Sequence, residues 1–276
     1  MIGKIVKNIS NDYTVLIEDT KYVCKPRGKF RKDKIVPLVG DNVKIDIKNN
    51  YILDILPRKN ALTRPAVANI DQVVILVSTK NPNFDTNLLD KLLVVIEYNN
   101  ITPIICISKT DLLSDKELEE IEEYKKYYEK IGYRVFYNYE VSEIKKIFKD
   151  KITAFTGQSG SGKSTLLNKI DVNLNLKTDE ISLSLGRGKH TTRHTELIPL
   201  EGGLVADTPG FSALDINALS NDDIRDNFIE FNKYRDECEY RDCSHILESK
   251  CMIKEKVTTK EILESRYNNY LKFIKK

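Results

Sequence analysis

Short apolar runs alternate with polar turns along the first 65 residues. GKIVKNI, YTVLIE, KYVCKP, DNVKIDI and YILDIL each read as a strand, because alternating apolar and polar positions fall on opposite faces of an extended chain. Ser10-Asn11-Asp12 and Gly40-Asp41-Asn42 supply turn residues between them. Strands this short and closely spaced imply a small barrel of the OB type, and an SH3-like barrel would read much the same. Leu56-Pro57-Arg58-Lys59-Asn60 then reads as an exit linker.

From about Ala66 the period changes. Apolar runs at QVVILVS (72–78), PIICIS (103–108), YRVFYN (133–138), ITAFTG (152–157), ELIPL (196–200) and GLVADT (203–208) alternate with helical segments, notably 85–99 and 115–131. That pattern predicts a layered α/β domain with a mostly parallel sheet. Beyond Ser220 the chain reads as helical again. Ser220 to Asp223 and Thr258 to Glu261 both have capping-box spacing and predict helix starts. The predicted fold class is therefore multidomain α/β: an OB-like β-barrel over 1–65, a phosphate-loop domain over 66–215, and a helical metal-binding domain over 216–276.

Charge sharpens this division. The net charge is only +3, yet residues 1–64 carry 14 Lys/Arg against 7 Asp/Glu, residues 65–219 carry 18 against 22, and the remainder 12 against 12. A basic first module points to a polyanionic partner, against the plain alternative of a solvated lysine-rich face. With 41% hydrophobic and 31% charged residues the composition is that of a soluble globular chain. No apolar run approaches the roughly 18 residues of a membrane span. The N-terminus MIGKIVKNISNDY lacks a signal-peptide core, so the expected location is the cytoplasm.

The chemistry lies in four motifs. GQSGSGKS (Gly157, Gln158, Ser159, Gly160, Ser161, Gly162, Lys163, Ser164), followed by Thr165, stands between a strand and a helix, as a phosphate-binding loop requires. Its glycines let successive N–H groups turn toward phosphates, Lys163 suits the β- and γ-phosphates, and the Ser164 hydroxyl suits Mg²⁺. A chance glycine turn is the bland alternative, and the flanking strand and helix argue against it. DTPG, Asp207 to Gly210, closes an apolar strand; Asp207 would support Mg²⁺ through water and the Gly210 N–H would meet the γ-phosphate. By itself the tetrapeptide is also a common turn. SKTD (Ser108, Lys109, Thr110, Asp111) closes another strand, as an ordinary strand-end turn also can. The Asp111 carboxylate can accept from both N1–H and N2–H₂ of guanine, a pair adenine cannot offer. Lys109 can lay its stem along the base. Ser108 stands where the usual pattern has Asn or Thr, which weakens a base contact.

In ordinary GTPases the phosphate loop comes first and the base motif last. Here the base motif precedes the phosphate loop, which precedes DTPG. Moving only the connection between chain ends restores the same site, so the domain reads as circularly permuted. The loop GRGKHTTRHTEL (186–197) between phosphate loop and DTPG holds His190, Thr191, Thr192 and His194. Either threonine is placed to complete a Mg²⁺ shell, although the loop is equally an exposed basic segment. After DTPG stands Phe211, which cannot orient a water, so the water-orienting group lies elsewhere. Cys238, Cys243, His245 and Cys251 form a Cys₃His set, the composition of a closed structural Zn²⁺ site. Free thiols are the alternative there. Cys24 and Cys106, each alone in an apolar strand, read as core residues.

Taken together, Arg27-Gly28, Val39-Gly40-Asp41, RPAVANID (64–71), GQSGSGKS, GRGKHTT, DTPGF and the Cys₃His spacing resemble the RsgA/YjeQ family of small ribosomal subunit biogenesis GTPases along essentially the whole chain. The resemblance implies a GTPase using Mg²⁺ with GTP and one structural Zn²⁺. It implies slow turnover alone and stimulation by the small ribosomal subunit, which such proteins help mature. Contacts to its 16S rRNA and proteins through barrel and zinc module, a monomeric state and no membrane partner follow from the same resemblance. The family's switch-loop histidine maps onto His190, with the role of positioning the attacking water.

Overall fold

The computed structural model describes residues 1–63, 66–174, 176, 196–207 and 216–274. His190, Thr191, Thr192, His194, Gly210 and Phe211 lie outside them, and Asp207 is described by its backbone alone.

The barrel strands are β1 (Ile2–Ile9), β2 (Asp12–Ile17), β3 (Thr20–Pro26), β4 (Asn42–Asp46) and β5 (Tyr51–Ile55), with a short helix α1 (Gly28–Lys32) before β4. They run β1-β2-β3-β5-β4, and β4 pairs again with β1, closing the ladder. β3 and β5 are parallel. Inward positions are apolar: Ile5, Val15, Cys24, Val43 and Ile52 are fully buried. Ser10 and Asn11 both have positive φ, the two-residue hairpin geometry that matches strand twist.

The exit linker is pinned rather than slack. The fully buried Asp41 carboxylate receives Arg58 Nε at 2.7 Å and Nη2 at 2.8 Å. The Asn60 side chain accepts from Ile70 N at 2.9 Å and donates to Ile70 O at 2.8 Å. A hairpin that the sequence pattern did not announce follows, β6 (Ala61–Thr63) with β7 (Ala66–Ala68), and Val67 bridges to Val39 of the barrel. Gly40 (φ +93°) makes this approach possible, since a Cβ there would lie 2.0 Å from the Ala68 carbonyl oxygen.

The sheet continues beyond the barrel through β8 (Gln72–Ser78), β9 (Thr102–Ser108), β10 (Arg134–Tyr137), β11 (Ile152–Gly157), β12 (Glu196–Leu200) and β13 (Gly203–Asp207), in the order β10-β9-β8-β11-β13-β12, with β12 paired to β1. All neighbours are parallel except β12 with β13. β8 is buried at every position because helices cover both faces. Val73, Ile75 and Val77 pack with α2 (Thr86–Tyr98) and α3 (Asp115–Ile131), and Val74 and Leu76 with α4 (Val141–Lys146) and α5 (Lys163–Ile170). Asp85 caps α2 by accepting from Asn87 N and Leu88 N, and Gly132 (φ 117°) ends α3.

The C-terminal module contains α6 (Asn221–Asp226), α7 (Met252–Thr258) and α8 (Glu264–Phe273). Ser220 caps α6 through Asp223 as its spacing predicts. Thr258 corrects the other expectation: it ends α7 instead of starting a helix. Glu261 is engaged by Lys256 Nζ at 2.7 Å and Thr259 Oγ1 at 3.3 Å, and α8 begins only at Glu264. The module packs on α2, whose Val94 and Val95 join Ile224, Phe228, Phe231 and Tyr270 in one core.

Candidate nucleotide site and metal centre

β8, β9 and β11 run parallel and end at one edge of the sheet, in register at Ser78↔Ser108 and Leu76↔Gly157. Ligands of open α/β sheets bind beyond such carboxyl ends. The phosphate loop leaves β11 at Gly157 and enters α5 at Lys163. Gly157, Gly160 and Gly162 have φ of +138°, +77° and +91°, and a Cβ on Gly157 would meet Leu76 O at 2.2 Å. The glycine spacing is therefore a backbone requirement. Lys163 Nζ donates to the loop's own carbonyls, Gly157 O at 3.0 Å and Gln158 O at 3.1 Å. Burial holds its pKa below the usual lysine value, because carbonyl dipoles alone do not replace lost hydration; a phosphate anion would. Ser164 and Thr165 lie in the first turn of α5, the end that favours anions.

The base motif stands directly beside this loop. Ser108 is fully buried, and its hydroxyl donates to Ser161 O at 2.7 Å. It thus ties β9 to the phosphate loop and does not face outward toward a base. Lys109 adopts a left-handed conformation (φ 61°) and its Nζ donates to Asn81 O. Thr110 opens a 3-10 turn, and Asp111 within it is exposed. Thr79, which no motif marks, fixes this strand end: its hydroxyl lies 3.1 Å from Ser108 O and 2.8 Å from Lys109 O. Asp207 ends β13, next to β11 and at the same edge.

In the C-terminal module the ligand atoms of Cys238, Cys243, His245 and Cys251 all lie within 4.8 Å of one another. His245 Nδ1 faces the sulfurs, 3.3 Å from Cys251 Sγ and 3.7 Å from Cys238 Sγ. Burial pushes the Cys243 thiol up to about 12, with Cys251 and Cys238 adding to it, and takes His245 down to about 4, helped by Arg225. A neutral imidazole among crowded sulfurs fits a divalent cation, whose charge reverses the cost of thiolate formation. The cluster can hold a metal ion. Supports that the sequence did not reveal shape it: Glu248 accepts from Ser244 N (2.7 Å), Ser244 Oγ (2.7 Å) and Ile246 N (2.9 Å). Tyr267 and Tyr270 donate to the carbonyls of His245 and Ser244.

A phosphate loop on the central strand, a base motif on a neighbour, and a chain order that begins with the base motif define a circularly permuted GTPase. Comparison with known proteins agrees. The RsgA GTPase profile matches residues 55–217 and the RsgA N-terminal domain profile residues 2–52. The chain is 49% identical over 281 residues to the small ribosomal subunit biogenesis GTPase RsgA of Latilactobacillus sakei, covering 98% of this chain and 94% of that one. The Enterococcus faecalis protein of the same name is 47% identical, with 99% and 94% covered. Among solved structures, YloQ, a circularly permuted GTPase, has a TM-score of 0.84 at 40% identity, covering 99% of this chain and 93% of its own. YjeQ from Thermotoga maritima has 0.84 at 36%, covering 98% and 96%. The chain belongs to the RsgA GTPase family and is a GTP-hydrolysing enzyme.

Proposed function

We propose that this chain hydrolyses GTP in the late maturation of the small ribosomal subunit and is stimulated by that subunit. The observation that carries the reading is the Ser108–Ser161 hydrogen bond of 2.7 Å, which joins base motif and phosphate loop into one site inside a family whose relatives bear that role in their names. Asp111 selects guanine, Lys163 neutralises the β- and γ-phosphates, and the N–H groups of the glycine loop hold them. Ser164, Thr191 or Thr192, and Asp207 through water would hold Mg²⁺, which offsets the charge developing on the phosphate oxygens. Gly210 donates to the γ-phosphate and His190 orients the attacking water. The metal of the Cys₃His cluster is Zn²⁺, given the soft tetrahedral donor set. The basic surplus of residues 1–64 supports contact with 16S rRNA, and the functional units follow as 1–65, 66–215 and 216–276. The protein acts as a cytoplasmic monomer. Among the described residues no helix is long and apolar enough to cross a membrane.

The test is GTP turnover with and without purified small subunits. Turnover that the subunit leaves unchanged rejects the partner. Asp111→Asn should weaken GTP binding by about 2 kcal/mol, the scale of a hydrogen bond to a charged group; equal affinities for GTP and ATP in the native chain reject the base assignment. His190→Ala should keep GTP affinity and lower stimulated kcat by on the order of 10²-fold.

A further inference from the structure

The edge of β1 changes partner part-way along the strand. Its first residues close the barrel against β4, at Ile2↔Lys44, Gly3↔Val43 and Lys4↔Asn42. The register with β2 then slips between Ile5 and Lys7, an irregularity of the kind that bends a strand and re-aims the side chains beyond it. Past the slip, Lys7 pairs with Glu196, the first residue of β12. Glu196 stands directly opposite Asp207, the last residue of β13. One cross-strand row therefore runs Lys7, Glu196, Asp207, and at this row the barrel sheet and the GTPase sheet become one.

The charges along the row matter. Two acidic residues directly opposed across an antiparallel pair disfavour each other unless a cation stands beside them. Lys7 is that cation: its ammonium contacts the Glu196 carboxylate, with both side chains only partly exposed, 26% and 36%. A pair so placed adds little to stability, so its consequence is positional. The chain enters β12 at Glu196 and leaves β13 at Asp207, the aspartate assigned above to Mg²⁺ support. Lys7 engages the Glu196 carboxylate from the barrel side of the row. Along this row a single residue, Glu196, stands between β1 and Asp207.

We propose that Lys7 and Glu196 are positioning residues of the GTPase reaction, through which a polyanion seated on the barrel alters turnover at the phosphate site. The proposal rests on the function proposed above. Its test uses full-length Lys7→Glu, Glu196→Lys and the charge-swapped double variant. Measured are GTP turnover with and without small subunits, its Mg²⁺ dependence, and subunit affinity. Each single variant should lose about tenfold in stimulated turnover and need more Mg²⁺ for half-maximal rate, and the double variant should recover most of both. A simple change in barrel charge predicts opposite effects of the two single variants on subunit affinity and no recovery of Mg²⁺ dependence in the double; that pattern overturns the proposal. Should the native protein show no stimulation, the partner reading fails separately. The Mg²⁺ dependence of unstimulated turnover then decides the row alone, and an unchanged value in both single variants rejects it. Lys7→Met and Glu196→Gln replace any reversal that does not fold, with smaller shifts in the same direction.

Discussion

The two seams that flank the GTPase sheet are built from opposite physics. At the C-terminal seam the fully enclosed Arg266 donates to Glu230 through Nε and Nη2, each at 2.7 Å, and to Asp90 on α2 through Nη1 at 2.8 Å. Tyr128 of α3 and Asn269 of α8 complete the hydrogen bonds of Asp90, at 2.6 and 2.7 Å. The guanidinium also lies 4.5 Å from the Phe228 ring centre. At the N-terminal seam the ion pairs stay in reach of water: Arg58 is 27% exposed beside Asp41, and Lys7–Glu196 and Lys59–Asp71 are more open. A buried arginine between two carboxylates has no water to exchange with and few other arrangements, so it fixes geometry. Partly exposed pairs rearrange at small cost. The seams also address different halves of the nucleotide site. The C-terminal module grips α2, which joins β8 to β9 and thus stands behind the base motif. The barrel meets β12, which pairs with β13, the strand that ends at Asp207. The packing of the module on Val94 and Val95 of α2 ties it to the strand pair that carries the base motif.

The largest expected effect is that of metal removal. Metal analysis of the native protein should give about one Zn²⁺ per chain. Chelation should unfold residues around 238–251 and release the packing on α2, because apparent binding free energies of structural zinc are on the order of 10 kcal/mol. Protease resistance and tyrosine circular dichroism unchanged after complete metal loss would remove the metal from the account of this seam.

Next come the two arginines, compared directly. Arg266→Ala strands two carboxylates in the interior and should cost about 3–5 kcal/mol in urea unfolding. Arg58→Ala leaves Asp41 with the Leu38 N–H at 2.7 Å and some solvent, and should cost about 1.5–3 kcal/mol. The reverse order would break the contrast between a fixed and an adjustable seam.

Much of this was legible in the sequence, for identifiable reasons. Strand alternation gave the barrel, since β4 reads Asn42, Val43, Lys44, Ile45, Asp46 with only Val43 and Ile45 buried. The helix expected over 115–131 spans those residues in the structure, where the Ser114–Glu117 capping box and Gly132 mark its ends. Motif order exposed the permutation. The β6–β7 hairpin stayed hidden because its strands are three residues each, too short to show a period. Ser108 was legible as part of a motif, but its hydroxyl bonds to Ser161 O, 53 residues away in sequence, which no local pattern shows. The Arg266 network left one readable trace: Asp90 interrupts the apolar stripe LLDKLLVV of α2, and a charge on a buried face implies a partner. Nothing local says that the partner lies 176 residues away.

The smallest effect tests whether the module's rigidity extends to the turn that presents His245. Glu248 carries a pKa of about 2 against an ordinary 4.5. Burial acts to raise it, and the hydrogen bonds from its own N–H, from the Ser244 hydroxyl and N–H and from Ile246 N–H outweigh that. With the folded value depressed, the unfolded chain binds more protons between the two pKa values, so this stabilisation is complete above pH 4.5 and lost as pH falls toward 2. The shift alone would suggest more, but solvent reaches this turn, and about 1 kcal/mol is the appropriate scale. Glu248→Gln keeps the shape and removes the charge. Native protein and variant should therefore differ by about 1 kcal/mol in urea unfolding at pH 7 and converge as the pH falls below about 4. Taking the difference at each pH cancels the proton competition for the metal thiolates that both share. A gap that persists undiminished at pH 3 would mean that the turn is held by shape and packing, and that the carboxylate charge contributes nothing to presenting His245.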